Sequence, residues 1–256
     1  MLENRLTKIR QHLYANGPTS LQHLSQLTGA SAATVRRDLI KLEEEGVVVR
    51  TYGGAALADE GVMETAFQAR ESQHLHAKRA IAEAAYKHLR PGSTVFLDAG
   101  TTVLQLARIM RLKPIPLTVI TNGLAVAQEM LNLKDTRVTL LGGQLRPENL
   151  SSVGPFAERI LEECWFDQLF LGASAIRLER GIFTLDASEA TLNRKMLEHA
   201  SLKILLADAS KFGQTAPYFV APIRAVDHVI SDVRLKDPWA RKLRDAGVHL
   251  ECVQLR

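Results

Sequence analysis

At 256 residues, with 46% hydrophobic, 5% aromatic and 23% charged, the chain has enough apolar sequence for a sizeable core and too much for disorder. No stretch approaches the roughly 20 apolar residues of a membrane helix. Met1 to Arg5 lacks the basic start and apolar run of a secretory leader, and Cys164 and Cys252 are too few and too far apart for a disulfide scaffold or a zinc ribbon. The net charge of +4 permits a nucleic-acid partner without arguing for one. A soluble, cytoplasmic protein is expected, whose function has to be read from the placement of its residues.

Three helical patterns open the chain. Leu6, Ile9 and Leu13 recur at helical spacing between Arg5 and Asn16, and Gly17-Pro18 ends the run. Ser20 is a natural N-cap for a helix over Leu21 to Thr28, with Leu21, Leu24 and Leu27 on one face, and Gly29 supplies a left-handed turn. Ser31 caps a third helix from Ala32 to about Glu45, with Val35, Leu39 and Leu42 facing inward. The β-branched run Val47 to Thr51 and the pair Gly53-Gly54 then predict a small hairpin.

Two helices joined by a short glycine turn form a helix-turn-helix, whose second helix enters the DNA major groove, and the hairpin makes it winged. With Val35 and Leu39 inside, Ser31, Thr34, Arg36, Arg37 and Lys41 are the candidate DNA contacts, and Arg50 and Tyr52 of the wing can reach the flanking backbone. Residues 1–57 hold seven Lys or Arg against five Asp or Glu, so bulk charge adds little to this reading. A winged helix serving only as a protein-interaction module remains the alternative at this point.

Residues 58–72 read as a linker, and His74 to Leu89 as an alanine-rich helix ended by Pro91-Gly92. From Ser93 onward short apolar strands alternate with helices: 94–98, 117–121, 137–141, 168–172, 203–207, 228–231 and 248–253. That alternation predicts an α/β domain, residues 73–256, built on a largely parallel sheet with ligands at the carboxyl ends of the strands. Asp98-Ala99-Gly100-Thr101-Thr102 follows the first strand at the start of a helix, where glycine, hydroxyls and free N–H groups suit a phosphate. Thr121-Asn122-Gly123, Gly142-Gly143 and the loop carrying Lys211 fall at the same edge, although each is also an ordinary turn or surface charge.

The eight histidines are scattered along the chain, and no Ser, His and acid stand at nucleophile spacing, so neither a metal, a cofactor nor a hydrolytic centre is expected. Cys164, beside Trp165-Phe166, reads as structural.

Taken together, Ser31-x-x-Thr34-Val35-Arg36-Arg37-Asp38-Leu39, Leu42-Glu43, Gly46 and Gly53-Gly54-Ala55 resemble the DeoR family of transcriptional regulators. So do Asp98 to Thr102, Thr121-Asn122, Gly142-Gly143, Leu171-Gly172-Ala173, Glu189 and Asp208 to Gly213. The resemblance implies a winged-helix reader of operator DNA joined to a sensor similar in fold to ribose-5-phosphate isomerase. It also implies a phosphorylated sugar as effector, a homodimer or homotetramer, and most often repression. On it, the effector contacts are Asp98, Gly100, Thr101, Thr102, Thr121, Asn122, Gly142, Gly143, Glu189 and Lys211.

An active isomerase is the rival reading. That enzyme family carries Asp-Gly-Ala-Asp after one strand and Lys-Gly-Gly later; this chain has Leu171-Gly172-Ala173-Ser174 and Arg180-Gly181-Ile182, which lack those acid/base groups. No catalytic role is therefore expected. Arg194 and Lys195 stay unassigned, and the segment 146–154 either helps select the effector or packs subunits.

Overall fold

The computed structural model describes residues 2–44, 47–51, 53–57, 61–177, 179–235 and 237–255. Its contacts divide the chain into two units, Met1–Ala66 and Phe67–Arg256.

In the smaller unit, α1 (Leu2–Asn16), α2 (Leu21–Thr28) and α3 (Ala32–Glu44) enclose Leu6, Ile9, Leu13, Leu24, Val35, Leu39 and Leu42, all buried. The caps are those the sequence offers. Ser20 Oγ accepts from His23 N at 3.2 Å, Ser31 Oγ from Thr34 N at 3.3 Å, and Gly29 has φ 64°. The shared face expected on α2 narrows to Leu24, since Leu27 is 38% exposed. Three residues advance an α-helix by 300°, so Leu21 and Leu27 lie about 60° to either side of Leu24 and only the middle one points straight in.

Strands β2 (Val48–Thr51) and β3 (Gly54–Leu57) form the hairpin, and a strand not anticipated, β1 (Thr19–Ser20), pairs with β3 to complete a sheet of order β1-β3-β2. Gly54 permits that third strand, because a Cβ there would stand 2.2 Å from the Thr19 carbonyl oxygen. One polar contact also goes beyond the sequence reading. Asp38 is 4% exposed and accepts from Arg5 Nη2 at 3.0 Å and from its Nε, tying α3 to α1.

Residues 61–72, expected as linker, form a helix, α4 (Gly61–Ser72). Its second half is packed: Phe67 is 3% exposed among Ile81, Leu104 and their neighbours, which supplies the burial that a solvated connector lacks. After α5 (Leu75–His88) come β4 (Thr94–Leu97), α6 (Thr101–Leu112), β5 (Leu117–Thr121), α7 (Leu124–Met130), β6 (Thr136–Leu140), β7 (Gln144–Arg146), β8 (Ser151–Val153), α8 (Pro155–Glu162) and β9 (Phe166–Gly172). Then follow β10 (Ala175–Arg177), β11 (Gly181–Thr184), α9 (Ala187–Glu198), β12 (Ala200–Leu206), β13 (Tyr218–Ala221), β14 (His228–Asp232), α10 (Asp237–Asp245) and β15 (His249–Val253).

All seven strands read from the sequence join one parallel sheet of order β15-β14-β12-β9-β4-β5-β6. One face carries the core of α5, α6 and α7, with Ile81, Leu106 and Met130, and the other that of α8, α9 and α10, with Leu161, Met196 and Leu243. Chain order departs in opposite directions from the β4/β9 pair, so those two strands form the switch point at which their carboxyl ends open a crevice. The antiparallel pair β7-β8 and the sheet β10-β11-β13 lie outside the sequence reading.

Candidate functional site

Helix α3 divides into two faces. Val35, Asp38, Leu39 and Leu42 are buried, while Arg36, Arg37 and Lys41 are exposed, Thr34 is half-buried, and Ser31 is exposed at the cap. The Ser31 and Thr34 hydroxyls lie 2.9 Å apart, within hydrogen-bond distance at the helix start. Arg50 stands on β2 opposite Ala55, but its side chain, like the whole of Tyr52, lies outside the described residues.

The second site is a cavity at the β4/β9 switch point, about 720 Å³ counted to its open mouth. Gly100, φ −65°, caps α6 without a side chain, so nothing on the cap accepts from the first-turn N–H groups, and Thr101 and Thr102 of that turn line the space. Lys211 enters from the turn after β12 and, among the described residues, is paired with no carboxylate. Helix α9 contributes Glu189 and Asn193, one turn apart.

The two carboxylates there differ in their partners. Glu189 is saturated: Oε1 accepts from Asn149 Nδ2 at 2.7 Å, and Oε2 accepts from Arg146 Nη1 at 3.3 Å and from the Thr184 hydroxyl. It ties the turn 147–149 to α9. Asp98, 4% exposed, accepts at Oδ2 from Gly172 N at 2.9 Å, while its buried Oδ1 has no partner among the described residues. Burial first, then the charge of Glu189, pushes its pKa from 3.8 up to about 7 against the pull of the Gly172, Ala99 and Gly100 N–H groups. Asn193 Oδ1 is likewise buried without a partner among the described residues. Asp98 and Asn193 thus each bring a buried side-chain oxygen without a partner among the described residues to a cavity that also carries the α6 N-terminus and Lys211, a set of groups that suits an anion bearing hydroxyl donors.

Arg70 of α4 also lines the cavity, donating from Nη2 to the Glu148 carbonyl at 2.6 Å and to Asn149 Oδ1 at 2.9 Å. Lys78, 2% exposed, donates to the Arg70 carbonyl, and burial lowers its pKa to about 8.

Six of the ten expected effector contacts line this cavity: Asp98, Gly100, Thr101, Thr102, Glu189 and Lys211. The other four lie near the same sheet edge with structural roles or none visible. Thr121 Oγ1 donates to Leu97 O at 2.6 Å and accepts from Gly123 N at 3.0 Å. Asn122 is 1% exposed, and its carbonyl accepts from Ser152 N at 2.8 Å. Gly142 and Gly143 are exposed at the foot of β7-β8, with Gly143 against Val153 O. Arg194 donates to Phe219 O at 2.7 Å and Lys195 pairs with Glu162; neither lines the cavity.

The sequence reading missed Arg70, Thr184 and Asn193, and held Asn149 only within the segment 146–154, left open between effector selection and subunit packing. Asn193, four residues after Glu189 on the same helix, carried a usable signal; Arg70, placed in a presumed linker, carried none. Among the described residues no three His, Cys, Asp or Glu groups are placed to hold a metal ion, and no helix is long and apolar enough to cross a membrane.

Residues 5–61 match the DeoR-like helix-turn-helix domain and residues 73–233 the DeoR C terminal sensor domain. A "Putative aga operon transcriptional repressor" from Escherichia coli O157:H7 is 37% identical over 248 residues, 96% of this chain and 92% of that protein. The HTH-type transcriptional regulator GlpR from Haloferax volcanii is 38% identical over 229 residues, 90% and 89% of the two chains. Among solved structures, ribose 5-phosphate isomerase A from Methanocaldococcus jannaschii covers 53% of each chain at 17% identity with a TM-score of 0.38.

Proposed function

The chain belongs to the DeoR family of DNA-binding transcriptional regulators, and from that premise we propose that it represses a carbohydrate-metabolism operon under control of a phosphorylated sugar held in the β4/β9 cavity. The phosphate sits at the N-terminus of α6 against Thr101, Thr102 and Lys211; sugar hydroxyls donate to Asp98 Oδ1 and Asn193 Oδ1. The carrying observation is that Asp98 and Asn193, each with a buried acceptor unpartnered among the described residues, line the same cavity as a helix start that has no side-chain cap. Operator DNA is read by Arg36, Arg37, Lys41, Thr34 and Ser31 of α3, with Arg50 and Tyr52 on the wing.

The site acts by binding and not by turnover. Glu189 is held by three protein donors and position 174 is a serine, and Asp98, the cavity carboxylate with an unpartnered oxygen, is read as an acceptor for a sugar hydroxyl and not as the base that proton transfer beside a carbonyl needs. The working unit is a cytoplasmic homo-oligomer, since paired readers on repeated half-sites gain effective concentration. Residues 1–57 form the reader, and the sensing and oligomerising part, expected over 73–256, extends back to Phe67, since Arg70 lines the cavity.

Selection of genomic fragments by the purified protein, followed by challenge with a panel of pentose and hexose phosphates, tests the reading. Release of the bound fragments by a member of the panel, lost in Lys211→Met, is the expected result. Turnover of a sugar phosphate without DNA retention would replace the regulator by the isomerase. The Arg36→Ala and Arg37→Ala variants should each bind the selected fragments about 5- to 150-fold more weakly, corresponding to about 1 to 3 kcal/mol for an arginine–base contact. Full affinity in both would remove α3 from the groove.

A further inference from the structure

Helix α4 places an unneutralised charge in the cavity. The Arg70 guanidinium is half-buried and donates through Nη2 to two neutral acceptors, Glu148 O and Asn149 Oδ1; among the described residues it is paired with no carboxylate. Its Cζ lies 5.7 Å from the centroid of the Phe67 ring, itself 3% exposed, so the group is stacked in position rather than free to swing. Burial holds its pKa below the usual guanidinium value against the pull of Glu189 and Asp98. A partly desolvated cation satisfied only by neutral oxygens is left short of the charged partner that makes such burial favourable. Nη1 and Nε make no hydrogen bond among the described residues, and the group lines the same space as Thr101, Thr102 and Lys211.

Helix α4 is continuous from Gly61 to Ser72, while the division between the two units falls between Ala66 and Phe67, so one helix starts in the span of the DNA-reading unit and ends at the cavity. The far end of α4 is held in two ways. Lys78 donates to the Arg70 carbonyl, and the guanidinium is joined through Asn149 to Glu189, and through Glu189 to Thr184 and Arg146.

We infer that Arg70 is a direct anion ligand of this cavity and that, on the regulator reading above, it is the residue through which occupancy is felt by α4 and hence by DNA affinity. A ligand shifts an equilibrium only by binding its two states unequally. Here the unequal term is a charged hydrogen bond between the ligand anion and Arg70, present only in the arrangement of α4 that docks Arg70 at the cavity.

The test compares wild type, Arg70→Met and Arg70→Lys as full-length protein. Affinity is read by calorimetry with inorganic phosphate, and coupling as the change in operator affinity at saturating sugar phosphate from the panel. Arg70→Met is expected to bind phosphate at least tenfold more weakly and to lose most of the saturated response, with ligand-free operator affinity within about threefold of wild type and an unchanged unfolding midpoint. Arg70→Lys, which keeps the charge without the fork, should recover affinity in part.

Phosphate affinity in Arg70→Met equal to wild type would overturn the anion-ligand role. A full response at saturation despite weakened affinity would overturn the coupling role. If wild type itself shows no response to any sugar phosphate, the regulator reading fails with it; if wild type responds and Arg70→Met responds equally, only this inference fails. An Arg70→Met variant with a lowered midpoint is judged on Arg70→Lys, where wild-type affinity together with wild-type coupling counts against the assignment.

Discussion

Replacing Asp98 by asparagine removes a charge from a place that disfavours it. Asp98 titrates at about 7 in the folded chain against an ordinary value of 3.8. The folded state therefore holds the proton more tightly, and the stability this group contributes is complete below pH 3.8 and is lost as the pH rises through 7. At 1.36 kcal/mol per pH unit, the loss between about pH 5 and about pH 8 comes to roughly 2 to 3 kcal/mol.

Asparagine keeps an oxygen for the Gly172 N–H, now at 2.9 Å from Oδ2, and carries no charge at either pH. Its advantage over wild type should therefore grow by that amount between the two pH values. Both tryptophans, Trp165 and Trp239, lie in the larger unit, so their fluorescence during urea unfolding follows that unit alone. The quantity to compare is the difference in unfolding free energy, variant minus wild type, at each pH. A difference that does not change with pH would mean that Asp98 is ionised at no cost and that the cavity floor is better solvated than its burial implies. In ligand-binding assays the same substitution should weaken sugar-phosphate affinity, because an amide NH2 at Oδ1 cannot accept a hydroxyl.

Asp38→Ala strands Arg5 and should lower the thermal midpoint of the smaller unit, seen by circular dichroism, while the tryptophan transition stays in place. Glu189→Ala frees Asn149, Arg146 and Thr184 together; sugar-phosphate affinity should fall at least tenfold with operator binding unaffected, and a calorimetric constant unchanged from wild type would disprove its positioning role. Gly181→Ala puts a Cβ 2.1 Å from the Ala221 carbonyl oxygen at φ 104°, so the urea midpoint of the larger unit should drop by an amount equivalent to about 2 kcal/mol or more.

Much of the architecture was legible in one dimension. The inner strands of the parallel sheet stood out because strands covered on both faces are apolar runs, the more exposed edge strands β6 and β15 by their place in the alternation of strands and helices, and α2 and α3 because Ser20, Gly29 and Ser31 satisfy or turn the backbone locally. What escaped was the structure whose cause lies elsewhere in the chain. Strands β1, β7, β8, β10, β11 and β13 are two to four residues long and exist because a partner backbone is present, which no periodicity announces.

The site divides in the same way. Its residue types were readable, since glycine, threonine and lysine after strands announce an anion site, but four residues in two turns at the same edge, Thr121, Asn122, Gly142 and Gly143, do not line the cavity. Arg5 meets Asp38, Arg70 meets Asn149, and His88, His228 and His249, scattered in sequence, gather with ring centroids 5.6 and 4.9 Å apart. Local sequence determines which face of an element is buried, because that depends on spacing within a few residues. Which loops converge depends on the order of strands in the sheet, and that order is set by the packing of the whole chain.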